Sequence, residues 1–189
     1  MQHLFKSLIM KENIFPAIRL TIVCVLFFSG VYTLIVLGTA QLLPGKGNAE
    51  MITSNSKRYY ANIGQIFTHD EYFWSRPSAV AYNAAGAGGS NKGPSNPGYL
   101  KEVQARIDSF LIHNPGVSKA DIPADMITAS GSGLDPHISV QAAEIQVKRI
   151  AAIRGIAEGN IRQLIISNTE KPLLGFLGTQ RVNVLKLNL

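Results

Sequence analysis

The sequence predicts an α+β extracytoplasmic domain preceded by a single N-terminal transmembrane helix, and three observations carry that prediction. Leu20 through Leu43 is a run of 24 residues without one charge, dominated by Leu, Ile, Val and Phe. The 146 residues that follow are enough for one compact core. Within them, apolar stripes at helical spacing mix with short β-rich segments in no regular alternation, which favours α+β over α/β.

As a helix, the apolar run extends about 36 Å against a hydrocarbon core of about 30 Å, so it spans a bilayer with some tilt. A cleaved signal peptide is the rival reading, because Gly38-Thr39-Ala40 and Gly47-Asn48-Ala49 carry small residues where a signal peptidase reads. The run exceeds the roughly 7–15 apolar residues of a signal core, which favours an uncleaved anchor. Lys6, Lys11 and Arg19 flank it on one side against Glu12; Lys46, Lys57 and Arg58 lie on the other against Glu50. A long domain counts little in the positive-inside rule, so the short basic tail decides: N-terminus inside, domain outside. The expected division is a tail over 1–19, the helix over 20–43 and the domain over 44–189. One helix cannot form an ion pathway. Ser29, Thr33, Val36 and Ala40 follow i, i+4, i+7, i+11 spacing, which either forms a small face for docking partner helices or reflects chance.

In the domain, 52–66 holds a candidate strand pair. Eight of its ten aromatics fall between Tyr59 and Tyr99, which points to a core anchored there. Seven of the fifteen residues over 84–98 are Gly or Pro, a loop composition. Asn96-Pro97 then opens a helix with the stripe Leu100, Val103, Ile107, Leu111, ended by Asn114-Pro115-Gly116. A second helix runs from a Ser139 cap to Arg154, stopped by Gly155, with Val140, Ala143, Val147, Ile150 and Ala151 on one face and Glu144 paired to Lys148. A short helix follows over 160–166. A strand over 181–189 closes the chain, its apolar phase switching between Val184 and Leu185.

Chemistry is scarce. Cys24 is the single cysteine, which excludes an intrachain disulfide and a Cys-based zinc site. The net charge of +6 divides into +2 on the tail and +4 on the domain, too diffuse for a nucleic-acid footprint. The glycine-rich segment Gly86–Gly93 lacks the Lys-Ser/Thr ending of a phosphate loop. Neither Ser130 nor Ser132 has Gly two residues to each side, so neither sits in a nucleophile elbow. A hydrolase with Ser132 attacking and His137 as base remains imaginable, but Asp135-Pro136 as a turn and Ser139 as a cap explain the same residues more simply. His69-Asp70-Glu71 lacks a second ligand cluster, and Asp121 with Asp125 is a weaker acid pair still.

Several segments together carry a resemblance. After the spanning helix come Ile63-Gly64-Gln65-Ile66-Phe67, the stretch from Tyr72 to Ala79 reading YFWSRPSA, Gly89-Ser90-Asn91 and Ser95-Asn96-Pro97. The stretch from Thr128 to Ser139 reads TASGSGLDPHIS, and Arg181-Val182-Asn183-Val184-Leu185 lies near the end. In this order they resemble the KdpC family, small subunits of the bacterial Kdp potassium-transporting P-type ATPases, over roughly residues 16–189. Tyr60-Ala61-Asn62 departs from the family, which usually has a Gly-Ser pair there. The resemblance implies a single-span accessory subunit in the bacterial cytoplasmic membrane, assembled with a channel-like subunit and a P-type ATPase subunit. It also implies a role as catalytic chaperone that raises the ATP affinity of the hydrolysing subunit. No cofactor on this chain follows from its residues, and ATP enters through the complex. Were the chain to touch nucleotide, Ser90, Asn91, Ser132 and Gly133 are the residues expected to do so.

Overall fold

The computed structural model describes residues 2–43 and 45–189, with side chains described from residue 12 onward. Met1 and Pro44, at the boundaries expected for the tail and the domain, lie outside the described residues, as do the side chains of Lys6 and Lys11 from the basic flank. The chain divides into two compact units, Met1–Ala49 and Glu50–Leu189.

Residues 2–42 of the first unit are helical: α1 (Gln2–Val25), a π-helical stretch (Leu26–Tyr32) and α2 (Thr33–Leu42). Within it, Glu12–Leu42 is long and apolar enough to cross a bilayer. Its large apolar side chains are exposed, Leu34 at 66 % and Phe28 at 61 %, so this is not the core helix of a soluble protein. The helix starts well before the apolar run does. Pro16 sits inside α1, where it lacks the N–H that would donate to the carbonyl four residues back.

The second unit opens with a hairpin, β1 (Met51–Ser54) and β2 (Lys57–Tyr60), paired antiparallel with Met51 opposite Tyr60. Asn55 and Ser56 turn it at φ of 49° and 64°, the positive values that two-residue hairpin turns require. The predicted strand pair is therefore confined to 51–60. Residues 61–96 contain no regular element until α3 (Pro97–His113) begins. Asn96 caps α3 by accepting from the Tyr99 N–H at 3.0 Å, and Pro97 occupies the first turn, as the sequence predicts. The buried face of α3 is Ile107 and Phe110; Leu100, expected in the stripe, is 52 % exposed.

A 3₁₀ turn (Lys119–Asp121) and α4 (Ala124–Ile127) lead to β3 (His137–Ile138). Ser139 caps the next helix, its hydroxyl accepting from the Ala142 N–H at 3.0 Å. The single helix expected over 139–154 is two, α5 (Val140–Glu144) and α6 (Val147–Arg154). At the junction the Gln146 N–H donates to the Ala143 carbonyl, three residues back rather than four. Gly155 ends α6 at φ 63°. Glu144 pairs with Arg162 of α7 (Glu158–Ser167) at 3.1 Å, not with Lys148.

The C-terminal segment departs most from expectation. Only Arg181–Asn183 is strand, β5, and it lies between β3 and β4 (Thr169–Glu170) in a three-stranded antiparallel sheet. Asn183 then caps α8 (Val184–Asn188) by accepting from the Lys186 N–H at 3.2 Å. The phase switch at Val184 marks the start of this helical turn, and Val184, Leu185 and Leu187 are all buried. The core gathers Phe73, Phe110, Met126, Ile138, Val147, Ile150, Ile165 and Val182. Of the aromatics between Tyr59 and Tyr99, Phe73 alone is fully buried, so helix and sheet aliphatics anchor the core rather than that cluster.

Candidate functional site

Three loops and one sheet edge meet around residues 130–137, and a buried clamp sets one of them in place. Arg149 of α6 is nearly enclosed. Its Nε donates to Asn114 Oδ1 at 2.9 Å, its Nη2 to Gln146 Oε1 at 2.7 Å, and its Nη1 to the carbonyls of Tyr72 and Asp70. The guanidinium also lies 4.9 Å from the centre of the Trp74 ring. Burial lowers the Arg149 pKa to about 10, against the raising influence of Asp70. The Asn188 amide completes the clamp by pairing with both backbone polar groups of Phe73, at 2.8 and 2.9 Å. Residues 70–74 are thus fixed from the core side, and Arg76 follows directly.

Ser78 joins the loops. Its hydroxyl donates to the Gly133 carbonyl at 2.7 Å and accepts from the amides of Val80 and Tyr82. The Gly88 N–H donates to the Ser132 carbonyl at 2.8 Å, the Gly64 N–H to the Leu134 carbonyl at 2.7 Å, and the Ser130 N–H to the Pro77 carbonyl at 3.2 Å. Gly133 has φ +67°, and a Cβ there would sit 2.5 Å from Val80 Cγ2 and 2.9 Å from the Gly88 carbonyl. A side chain at Gly133 therefore meets both a backbone and a steric obstacle.

Beside this junction runs a row of ionisable side chains: Arg76, Asp135, His137, Glu170, Arg181. Arg76 Nη1 donates to Asp135 Oδ2 at 2.8 Å. The His137 N–H donates to Asp135 Oδ1 at 3.0 Å, and the His137 ring places Nδ1 3.5 Å from Asp135 and Nε2 3.4 Å from Glu170. Arg181 Nε donates to Glu170 at 2.9 Å. Burial by itself would raise the Asp135 pKa, but hydrogen bonds from His137 and Arg76 outweigh it and bring the carboxyl to about 2. Burial also opposes ionisation of Glu170, yet Arg181 and His137 together lower its pKa. Arg76, Asp135, His137 and Arg181 line a cleft of about 330 Å³ with Asp125 and Ser139 on its wall. Asp125 accepts from the Ser139 N–H at 2.7 Å.

The structure brings Ser132 and Gly133 to the loop junction and sets Gly89 against Gly131, with Ser90 half-buried next to it and Asn91 exposed at φ 52°. The Gly88 amide, a donor that a phosphate would need, is spent on the Ser132 carbonyl. Ser132 and His137 do not form a nucleophile–base pair. The Ser132 hydroxyl accepts from the Leu134 N–H at 3.1 Å, and both His137 nitrogens face carboxylates. Asp135, so acidic, is a poor proton acceptor near neutral pH. Asp70 pairs with His113 at 2.9 Å rather than joining His69 and Glu71, and no group of three metal-ligating side chains occurs among the described residues.

In the first unit, Thr33, Val36 and Ala40 share a face of α2, but Ser29 falls in the π-helical stretch, where α-helical spacing does not hold. The Thr33 hydroxyl donates five residues back, to the Phe28 carbonyl at 3.2 Å. Ser29 is thus offset from the stripe that the sequence predicts.

The structure also gives places in the site to residues that the sequence does not single out as functional: Arg76, Ser78, Arg149, Glu170 and Arg181. The contacts that bring them into the site are long-range, Arg76 to Asp135, Ser78 to Gly133 and Arg149 to Tyr72, or cross a strand pair, Glu170 to Arg181, so no local spacing reveals them.

Comparison with known proteins matches residues 14–189 to the family described as "KdpC: K+-transporting ATPase, c chain". Three similar relatives each bear the description "Potassium-transporting ATPase KdpC subunit". That of Bacteroides thetaiotaomicron is 50 % identical over 182 residues, covering 94 % of this chain and 96 % of the relative. That of Flavobacterium psychrophilum is 53 % identical over 178 residues, with 94 % and 96 % covered. That of Geobacter sulfurreducens is 46 % identical over 186 residues, with 95 % and 96 % covered.

Proposed function

This chain belongs to the KdpC family of K+-transporting ATPase subunits, and on that premise we propose that it is a non-catalytic accessory component of an ATP-driven potassium-import complex. The observation that carries the reading is the family match over nearly the whole chain, together with one exposed apolar helix at its N-terminus. In this reading the helix is a single-pass anchor in the cytoplasmic membrane, with the N-terminus inside and the domain from residue 44 outside. The partners are the channel-like subunit and the P-type ATPase subunit, and Thr33, Val36 and Ala40 offer the helix face for one of them, flanked by Ser29.

The protein acts as a catalytic chaperone, raising the ATP affinity of the hydrolysing subunit. The proposed topology keeps the domain from cytoplasmic ATP, so we favour an effect exerted through assembly. Direct nucleotide contact, the other form of that role, falls on Ser90, Asn91, Ser132 and Gly133.

Co-purification from mild detergent tests the assembly: the channel-like and ATPase subunits are expected with the chain, and their absence defeats the reading. A reporter active only in the cytoplasm, fused after Leu189, should be silent; its activity would reverse the topology. Photolabelling of the complex with an azido-ATP should mark the hydrolysing subunit alone. Label on this chain that falls at least fivefold in Ser90→Ala/Asn91→Ala would establish direct contact instead.

A further inference from the structure

The connection from β4 to β5 carries an apolar knob that the domain itself does not cover. Leu173, Leu174, Phe176 and Leu177 are 69, 76, 73 and 51 % exposed. The knob is preformed rather than loose: the Leu173 and Leu177 backbones exchange hydrogen bonds of 3.0 and 2.9 Å, and Gly175 turns the tip at φ +81°. We propose that this knob is the domain's docking point for another subunit of the same ATPase, seated in an uncharged, apolar depression on that subunit. The proposal rests on the accessory-subunit reading above and adds the surface through which it works.

Size and charge select this occupant. Four side chains so exposed offer roughly 500 Å² of apolar surface, comparable to the largest patch on an ordinary monomer. A self-standing interface needs about 800 Å² from each partner, so the knob is too small to hold two copies of this chain together unaided. It suits one contact in an assembly that other contacts also hold. A lipid-surface anchor would surround its apolar tip with cations. Here residues 172–180 carry no charge, and the cations are two, Lys171 and Arg181 at the ends of the segment, the second engaged by Glu170, rather than a ring about the tip. An aromatic flanked by leucines on a rigid turn is instead the kind of anchor that fills a pocket, losing little entropy on docking.

The test uses the whole complex in its membrane. Phe176 is replaced by the photo-crosslinker p-benzoylphenylalanine, and Ile112, equally exposed but on α3, serves as the control. Irradiation should yield an adduct between position 176 and the channel-like or ATPase subunit, located by peptide mass, and at least tenfold less from position 112. In parallel, Leu174→Ser/Phe176→Ser should lower the partner subunits recovered with the chain at least fivefold, while its thermal midpoint stays within about 3 °C because both side chains face solvent. Adducts to lipid alone, to a second copy alone, or none from position 176 overturn the proposal, as does undiminished recovery of partners. If the unmodified chain recovers no partner subunit, the accessory-subunit reading fails and the docking surface fails with it.

Discussion

The Arg149 clamp and the Arg76–Arg181 row are both polar networks, yet they are built on opposite principles. Arg149, with a side chain only 2 % exposed, donates its hydrogen bonds to neutral acceptors, an asparagine, a glutamine and backbone carbonyls, with one carboxylate, Asp70, 3.9 Å from its Nη1. The row sets two arginines and a histidine against two carboxylates beside a solvent-open cleft, with side chains 17–55 % exposed. A buried cation held by four hydrogen bonds is costly to disturb, because each lost partner leaves a desolvated group behind. An open row of charges has water as an alternative partner for every member, so it yields gradually and responds to salt and pH. The first network ties residues 70–74 to the core; the second sets the charge of the cleft's open surface.

The largest effect should come from the clamp. Arg149→Leu removes the donor to Asn114, Gln146 and two carbonyls at once, and should cost about 3–5 kcal/mol. For a domain of this size that lowers the thermal midpoint by on the order of 10 °C or more, measured by circular dichroism on the full chain. Arg149→Lys keeps the charge but loses the planar fork, so it should recover less than half of the loss. A midpoint within about 2 °C of the parent would erase the distinction between the two networks.

How far each region is legible in the sequence follows the range of its interactions. The Asn96 and Ser139 caps and the Gly155 stop depend on neighbours within four residues, and all three appear where the sequence puts them. The interruption at Gln146 does not, because that side chain serves Trp74, 72 residues earlier, as well as Arg149. The C-terminal segment reads as strand along its whole length because buried aliphatics suit helix and strand alike; the one local clue to the helical turn is Asn183, three residues before Lys186, in cap position. In the candidate site, Asp135 and His137 attract attention as neighbours. Arg76, Glu170 and Arg181 join them only through the β3–β5–β4 sheet and the loop that the clamp positions.

The middle prediction uses pH to separate the networks. Asp135 titrates near 2 in the folded chain, below the ordinary 3.8, so its contribution is present above about pH 4 and is lost as pH falls through 2. Asp135→Asn should therefore flatten the dependence of the urea midpoint on pH between 4 and 2, and cost about 1–2 kcal/mol at pH 7. Arg149→Leu should lower the whole curve and keep that slope. A slope unchanged in Asp135→Asn would place the acid sensitivity elsewhere.

The smallest effect belongs to the outer end of the row. Arg181 is 55 % exposed and its partner Glu170 37 %, so water replaces either with little penalty. Arg181→Ala should cost less than about 0.5 kcal/mol, and about 0.5 M salt should abolish the difference. Glu170 keeps His137 as a neighbour, 3.4 Å away, which limits the loss further. If Arg181→Ala instead costs above about 1.5 kcal/mol regardless of salt, the row behaves as a second clamp. A small, salt-sensitive cost has a further use. It would allow charge at this edge, beside the apolar knob, to be varied without unfolding the domain, so a change in recovered partner subunits would report docking rather than stability.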